Sequence, residues 1–358
     1  IIKYMSRTGY RINYYQPDFY LEYPQAENLT KNPQIRIMHY TTERFSLERA
    51  IASAANADII IKVSGLGKFD DWMEERLLQI KNHRQKIIFW DIDAPATLHR
   101  AINDLGSGFR LRIPKFDHIF IKDGGQNACR NYKMLGADNC MLIHAGFDPE
   151  IHFKVRASLD LEADLAFLGN SMPGIDEKMK EYFIKVAQRM PDKKFLLAGM
   201  GWNKFDMSSN IRYIGHLPLK YHNVLYSSAG AVLNISRDGD EDYYHSPASG
   251  VFEAAAAGAC IISDDYDGIE SFFEPMKELW IAENGRQLEN LLNTLTKNRM
   301  TLTGAAARMK VLEKHSYARR VEQIDKLLHK ERIAVPAGEN LKVKKRQKRP
   351  LKQLLSLF

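Results

Sequence analysis

Short apolar runs that alternate with helix-length segments constrain the fold of this chain more than any other feature. The runs are rich in Ile, Leu, Val and Phe, and many are continuous rather than interrupted by polar residues. Continuous runs are typical of strands covered on both faces, as in a parallel sheet. We predict strands at Ile35–His39, Asp58–Val63, Lys86–Trp90, His118–Lys122, Met141–His144, Leu165–Leu168, Lys194–Ala198, Ile211–Ile214, Ala231–Ile235, Cys260–Ser263 and Leu279–Ile281.

Helix-length stretches lie between these runs, for example at Asp70–Lys81, Gly174–Arg189 and Gly285–Lys297. This order indicates an α/β fold with right-handed crossovers between parallel strands. The segment Pro149–Ala163 is polar and lacks a strand pattern, so we place a domain boundary there. A chain of 358 residues is long enough for two domains. We therefore predict domains at residues 1–150 and 151–330, the second ending in one helix, Leu302–Lys330.

The N-terminal residues begin at an unexpected point of such a domain. Ile1–Ser6 resembles the end of a helix, and the segment GYRINYYQPD after it resembles a strand. A strand and a ligand-facing loop normally precede the first helix of an α/β domain. We therefore expect the first strand to be missing from the domain at residues 1–150. This segment lacks the apolar core of a signal peptide, and no apolar run approaches the roughly 20 residues of a membrane span.

Positive charge is concentrated at the C-terminal end. The net charge is +7, and residues 340–358 contain no acid but carry Lys342, Lys344, Lys345, Arg346, Lys348, Arg349 and Lys352. The rest of the chain is neutral overall, which argues against specific nucleic-acid binding. We predict a basic, flexible tail at residues 331–358. Its part 340–358, with a short helix in LKQLLSLF after Pro350, would contact an anionic membrane surface.

The three cysteines, Cys129, Cys140 and Cys260, are too few for a disulfide framework in a chain of this length. They predict buried thiols in a reducing compartment. We therefore expect a cytoplasmic protein that is peripheral at the inner face of the membrane.

One helix of the second domain has the pattern of an anion site. Ser246 followed by Pro247 predicts its start, Gly258 predicts its end, and the strand Cys260–Ser263 follows. Its N-terminus would lie at the carboxyl edge of the sheet, where free backbone N–H groups bind a diphosphate. Glu253, inside this helix, is able to accept two hydrogen bonds from a ribose diol; an ordinary solvated or ion-paired glutamate is the alternative.

Small or polar residues follow other strands of the same domain. Gly169 and Asn170 follow one strand, and Gly199 follows the next. Small residues at these points let a ligand approach the backbone. Arg237 follows a third strand and is expected to face the diphosphate, with a plain surface position as the alternative. The GMGWNK sequence that begins at Gly199 lacks the third glycine of a dinucleotide fingerprint, so NAD binding is not expected.

Four segments together resemble the spore-maturation (CgeB-like) family of glycosyltransferases. The segment SPASGVFEAAAAGACIISDDYDGIESFFEP, Ser246–Pro275, is similar to the family's S-P-S-x-R-x-F-E-A-A-A-x-G-x-x-I-I-S-D block. FWDIDAPATL, Phe89–Leu98, is similar to its F-Y-D-I-D-T-P-x-T-L motif. Phe116–Phe147 resembles its strand, Gly-Gly turn and helix, and LEKHSYARR, Leu312–Arg320, its closing H-[ST]-x-x-x-R helix.

This resemblance implies a GT-B fold, in which two Rossmann-like domains face each other across a cleft and the C-terminal one holds most of the donor. It implies transfer of a sugar from a nucleotide-diphosphate sugar to an unknown acceptor. The expected donor-binding residues are Gly169, Asn170, Gly199, Arg237, His245, Ser246, Ser249 and Glu253, with Glu253 on the ribose.

Two residues depart from the expected motifs. Gly250 replaces the family's arginine, and His245 stands where many relatives outside the family have a second glutamate. These departures leave open a non-catalytic GT-B-like module that binds a nucleotide or glycan. A nucleotide-sugar epimerase of the same fold is a third alternative, because a fold alone does not determine function.

Asp93 and His144 are the candidate catalytic residues. Asp93 is expected at a strand end, as a general base for the acceptor hydroxyl, or else as a residue that caps a loop. Asp91 and Asp93 form a D-x-D pair, but carboxylates two apart on an extended segment point in opposite directions. The histidines show no zinc-binding spacing. We therefore expect no metal, no cofactor and metal-independent transfer.

Overall fold

The structure is a computed structural model that describes residues 1–18, 32–65, 69–104, 106–237, 247–333 and 354–357. Its strands are β1 (Ile12–Pro17), β2 (Ile35–Tyr40), β3 (Ile59–Val63), β4 (Lys86–Asp91), β5 (His118–Ile121), β6 (Cys140–Leu142), β7 (Ala163–Leu168), β8 (Phe195–Ala198), β9 (Ile211–Tyr213), β10 (Ala229–Asn234), β11 (Ile261–Asp264), β12 (Trp280–Ala282) and β13 (Leu354–Leu357). Every strand predicted from the sequence is confirmed, and so is the α/β class.

The helices lie between these strands in the expected order. They are α1 (Ile2–Arg7), α2 (Arg44–Ala54), α3 (Asp70–Ile80), α4 (Ala94–Asn103), α5 (Gly108–Arg112), α6 (Gly125–Met134), α7 (Asp176–Met179), α8 (Lys185–Arg189), α9 (His222–Ser228), α10 (Ser249–Ala256), α11 (Gly285–Thr294), α12 (Lys297–Lys314) and α13 (Tyr317–Ile333). A π-helical turn, Lys180–Ile184, joins α7 to α8.

The chain forms two compact units. Unit 1 contains Ile1–His144 and the chain from Arg320 onward, and unit 2 contains Ala145–Arg319. The division after His144 lies a few residues before the boundary predicted at Pro149–Ala163. The C-terminal part of α13 belongs to unit 1, although the sequence placed residues up to 330 in the second domain.

Unit 1 is built on a parallel seven-stranded sheet of order β2-β1-β13-β3-β4-β5-β6. Every residue of β3 and of β5 is buried. Because successive side chains of a strand point to opposite faces, the sheet is covered on both sides at these strands. This is the arrangement that the continuous apolar runs predicted.

Strand β13 lies between β1 and β3 in the sheet of unit 1. Leu354 pairs with Ile12 of β1 on one side and with Ile59 of β3 on the other, both in parallel. The prediction of a helix after Pro350 is therefore wrong for Leu354–Leu357. The facing edges of β1 and β3 offer unpaired backbone groups on both sides of a strand-wide gap, so an extended segment satisfies both. The remaining tail residues, 334–353 and 358, lie outside the described residues.

Unit 2 is built on a parallel six-stranded sheet of order β12-β11-β10-β7-β8-β9. Neighbouring residues of β10 contribute to different apolar cores, Val232 to one and Leu233 to the other. Residues of α10 and α12 join the first core, and residues of α8 and α11 join the second. The unit therefore has the helix–sheet–helix layers of a Rossmann-like domain.

The single helix predicted at Leu302–Lys330 is wrong, because the chain forms α12 and α13 instead. The break lies at His315 and Ser316. The Ser316 hydroxyl accepts a hydrogen bond from the Arg319 N–H, and the Tyr317 N–H donates to the Phe147 carbonyl at 2.9 Å. The serine hydroxyl thus caps the new helix, and the backbone on either side of it is held by the strand-like segment at Phe147.

Candidate donor-binding site

Helix α10 lies between the parallel strands β10 and β11, so its N-terminus is at the carboxyl edge of the unit 2 sheet. The helix begins at Ser249, and Ala248 before it is extended, with ψ 154°. The predicted start at Ser246 and Pro247 is therefore wrong. The Ser249 hydroxyl interacts with Glu253 one turn later, rather than capping the helix. Ser246 and His245 lie outside the described residues.

Glu253 is the acidic group of α10, and its side chain is mostly buried, with 18% exposed. Burial raises the pKa of this carboxyl to about 7, against a smaller lowering by the Ser249 hydrogen bond. Its Oε2 lies 3.7 Å from His152 Nε2. A carboxylate that is mostly buried but still reaches the surface suits hydrogen bonding to hydroxyl groups of a ligand.

Two histidines from other elements lie beside Glu253. His152 belongs to the segment before β7, and His222 begins α9. One nitrogen from each ring and one Glu253 carboxylate oxygen lie within 4.8 Å of one another. Burial lowers the pKa of both imidazoles, that of His152 to about 4, so both rings are neutral at pH 7. No sequence motif indicated this group, because the three residues are far apart in the chain.

A buried polar cluster joins the carboxyl ends of β10 and β11. The Asp264 carboxylate, 1% exposed, accepts hydrogen bonds from the Ser236 N–H at 2.9 Å and the Ser236 hydroxyl at 2.6 Å. Lys178 Nζ of α7 donates to the same carboxylate at 3.0 Å and to the Ser236 hydroxyl at 2.8 Å. The cluster fixes the backbone at Ser236, two residues after β10. Sequence analysis missed it, although an aspartate directly after an apolar strand was a signal for a strand-end site.

The glycine loops after β7 and β8 pack against each other. A Cβ atom at Gly199 would lie 1.9 Å from the Gly169 carbonyl oxygen, and its φ of +129° favours glycine. The Asn170 side-chain oxygen accepts a hydrogen bond from the Met200 N–H at 2.8 Å, and the Trp202 indole donates to the Gly169 carbonyl at 2.7 Å. The close approach that these residues permit is thus between two backbone segments of the protein. Their contact with a donor stays a prediction.

Arg237 directly follows the Asp264 cluster and is exposed. Because Ser236 is tied to Asp264, the backbone that carries Arg237 is anchored at the carboxyl edge of the sheet. This position is compatible with the predicted contact to a diphosphate, which stays a prediction.

The two aspartates at the end of β4, in unit 1, have different environments. Asp91 is fully buried, and its carboxylate accepts hydrogen bonds from the Tyr132 hydroxyl at 2.5 Å and the Thr97 hydroxyl at 3.0 Å. Burial raises the pKa of Asp91, and its hydrogen bonds oppose this shift. Asp93 is exposed at the N-terminal boundary of α4, and its backbone N–H donates to Asp91. Asp91 therefore holds the turn, and Asp93 is the carboxylate accessible to solvent.

His144 lies at the end of unit 1's first segment. Burial lowers the pKa of its imidazole to about 4, and the Arg320 charge adds to this lowering. Arg320 also donates a hydrogen bond to the His144 carbonyl at 3.1 Å. The ring is therefore neutral at pH 7 and chemically able to accept a proton, as a general base must.

The three cysteines are free thiols. Cys129 and Cys260 are buried as predicted, whereas Cys140 is only half-buried and its sulfur lies 3.1 Å from that of Cys129.

Solved glycosyltransferase structures share this fold. Sucrose-phosphate synthase from Thermosynechococcus elongatus is 13% identical, with a TM-score of 0.68 and coverage of 92% of this chain and 91% of that one. The Anabaena protein HepE, in complex with UDP-glucose, is 11% identical, with a TM-score of 0.65 and coverage of 89% and 99%. Trehalose 6-phosphate synthase from Burkholderia multivorans is 9% identical, with a TM-score of 0.59 and coverage of 83% and 76%. These similarities establish the GT-B fold.

A family model supplies the chemical class. Residues 178–326 match a family described as glycosyl transferase-like. The chain is a glycosyltransferase. The matched residues run from Lys178 in α7 to α13 and include Glu253 and the Asp264 cluster, so the match falls on the candidate donor site. The non-catalytic alternative is not favoured. A search of curated proteins found no match.

None of the helices that the structure describes is long and apolar enough to cross a bilayer.

Proposed function

We propose that this glycosyltransferase takes its sugar from a nucleoside diphosphate sugar bound at the carboxyl edge of the unit 2 sheet. The observation that carries the proposal is the Glu253 carboxylate, which is mostly buried on the second turn of α10, the helix that begins at that edge. UDP-glucose is the first donor to test, because HepE has been solved with UDP-glucose and with UDP.

Each donor group has a complementary group in unit 2. Glu253 accepts hydrogen bonds from the ribose hydroxyls, and the first N–H groups of α10, from Ser249 onward, face the diphosphate. Arg237 adds a positive charge on the same side. Gly169, Asn170 and Gly199 border the donor, and His245 and Ser246 complete the set. Because a helix N-terminus and an arginine balance the diphosphate charge, transfer needs no metal ion.

The acceptor chemistry is proposed to lie in unit 1. If the enzyme inverts the anomeric centre, Asp93 removes the proton from the acceptor hydroxyl as it attacks the sugar. Its exposure at the end of β4 makes it accessible to an acceptor. His144, neutral at pH 7, is the second candidate base.

The decisive experiment measures UDP-glucose affinity by calorimetry for the natural chain and for Glu253→Gln. We expect a loss of about 1–3 kcal/mol, because the amide keeps the shape of the side chain but leaves a ribose hydroxyl poorly paired. The measurement is made at pH 8, where Glu253 is mostly ionised. Glu313→Gln, an exposed position on α12, is the matched control. Equal affinities in all three proteins would refute the assignment.

We propose two finer assignments as well. The motif segments of Phe89–Leu98 and Ser246–Pro275 support membership of the CgeB-like subfamily. The basic residues between Lys342 and Lys352 support peripheral attachment to the inner face of an anionic membrane, at about 1 kcal/mol for each charge near the surface.

Vesicle sedimentation tests the membrane proposal. A chain whose basic residues from Lys342 to Lys352 are replaced by Gln keeps β13, whereas truncation at Arg332 would remove it. We expect this variant to lose binding to anionic vesicles, and the natural chain to release from them as salt rises. Vesicle binding that is unchanged both by the Gln replacements and by added salt would contradict the proposal.

A further inference from the structure

His152, His222 and Glu253 bring three metal-ligand groups to one point in unit 2. One ligand atom from each residue lies within 4.8 Å of the other two, and His152 Nε2 lies 3.7 Å from Glu253 Oε2. In a tetrahedral site with bonds of about 2.0–2.1 Å, ligand atoms lie roughly 3.4 Å apart. The His152–Glu253 pair already approaches this spacing, and the 4.8 Å limit puts all three ligand atoms within about 1.4 Å of it.

The two imidazoles have nitrogens that are buried without a hydrogen-bond partner among the described residues. Both ring nitrogens of His152 lack a hydrogen-bond partner there, and the residue is only 7% exposed. His222 donates from Nε2 to the Leu217 carbonyl at 3.0 Å, which leaves the lone pair of its buried Nδ1 unused. Buried polar atoms are almost always paired. An imidazole that donates one N–H to a carbonyl and presents its other nitrogen is the usual state of a metal ligand.

The ligand atoms of the group also suit a cation. Two imidazoles supply nitrogen ligands. Glu253 supplies an oxygen and a negative charge within the cluster.

We propose that His152, His222 and Glu253 bind a divalent transition metal of the zinc class. Two imidazoles and one carboxylate are a common zinc ligand set that leaves a fourth position open. The sequence spacing predicted no zinc site, because a motif search requires ligands close together in the chain. Here the ligands come from the segment before β7, the start of α9 and the second turn of α10.

The metal has a consequence for the donor, and this consequence rests on the proposed function. Glu253 is the proposed ribose contact, so a bound metal and the donor compete for one carboxylate. The metal would therefore restrain donor binding rather than take part in transfer, in agreement with a metal-independent reaction.

Metal binding is tested without nucleotide, so that it does not depend on the donor assignment. The untagged full chain carries Cys140→Ser, because Cys129 and Cys140 sulfurs lie 3.1 Å apart and thiolates also bind zinc. After treatment with a chelator, the protein is titrated with Zn²⁺ by calorimetry and with Co²⁺ by visible absorption. We expect one strong site with the intense cobalt spectrum of tetrahedral coordination.

Ligand variants identify the site. His152→Asn, His222→Ala and Glu253→Gln should each lower zinc affinity by more than the ~10–100-fold typical of losing an outer-shell partner. His99→Ala, at an exposed position of unit 1, should leave it unchanged. Circular dichroism establishes that each variant is folded. Zinc binding that is absent from the Cys140→Ser chain, or equally strong in its folded ligand variants, would overturn the proposal.

Competition separates this proposal from the proposed function. Zn²⁺ should raise the apparent Kd of UDP-glucose in the Cys140→Ser chain and leave it unchanged when that chain also carries His222→Ala. Tight zinc binding without competition would support the metal site and count against Glu253 as the ribose contact. Donor binding that depends on Glu253, with no zinc bound, would support the donor site and overturn the metal site.

Discussion

Replacing Asp264 by asparagine tests whether the cluster at the ends of β10 and β11 holds unit 2 together. Asp264→Asn preserves the shape of the side chain and removes its charge. The oxygen that accepts from the Ser236 N–H at 2.9 Å can remain in place. The other oxygen, which accepts from Lys178 at 3.0 Å, becomes an NH₂ group that faces an ammonium. The new NH₂ group and the Lys178 ammonium are then two hydrogen-bond donors in contact at a buried position.

The expected cost is about 2–3 kcal/mol. Hydrogen bonds to charged groups contribute roughly 1.5–3 kcal/mol, and breaking a fully buried ion pair costs about 3–5 kcal/mol. The upper value does not apply, because the Lys178 side chain is 25% exposed and keeps its 2.8 Å hydrogen bond to the Ser236 hydroxyl. The Ser236 hydroxyl can also rotate to donate to another acceptor, so the loss of its hydrogen bond to Asp264 adds little to the cost.

Urea unfolding followed by tryptophan fluorescence measures this free energy. Each unit carries two tryptophans, so replacing the pair of unit 1 by phenylalanine leaves signals from unit 2 alone; the first pair is Trp72 and Trp90, and the second is Trp202 and Trp280. Asp265→Asn is the matched control, because that neighbour is exposed. If both variants unfold at the same urea concentration, the reasoning about the cluster is refuted.

Further predictions concern a loop, a titrating residue and the candidate base. Gly199→Ala should destabilise unit 2 by about 3 kcal/mol or more, because its Cβ would meet the Gly169 carbonyl at 1.9 Å. Gly215→Ala is the control, because a Cβ there would have no neighbouring atom within 4 Å, and it should cost about 1 kcal/mol in the same urea assay. The pKa of His144 is lowered to about 4, so the unfolded chain binds the additional proton between pH 6.5 and 4, and stability should fall as pH drops through that window. His144→Gln should flatten this dependence in unfolding measurements made from pH 7 to pH 4. Asp93→Asn should lower turnover by about 10²–10⁴ with donor affinity nearly unchanged, and full activity would remove it from the mechanism.

The sheets were largely predictable from the sequence, because buried parallel strands carry their pattern locally. A run such as Ile59–Val63, buried at every position, has few alternatives to a strand covered on both faces. The alternation of such runs with helices then leaves few possible topologies. The place of Glu253 in a helix flanked by two of these strands was also predicted in this way, whereas its contact with a donor stays a prediction.

Features that depend on distant parts of the chain were not predictable. The partner of Asp264 is Lys178, 86 residues earlier, and no spacing rule connects them. His152 and His222 were missed for the same reason, since each alone resembles an ordinary core histidine.

The position of β13 determines when unit 1 can be completed during synthesis. The strands β1 and β3 leave the ribosome long before β13. Their facing edges can pair with β13 only after residue 357 has been synthesised. Unit 2, whose sheet uses only residues between Ala163 and Ala282, has all its strands long before that. Pairing over such a sequence separation is slow, and strand edges left open in the meantime are prone to wrong association. We therefore expect the sheet of unit 1 to form after the sheet of unit 2. Until β13 pairs with them, the open edges of β1 and β3 are expected to need protection from aggregation.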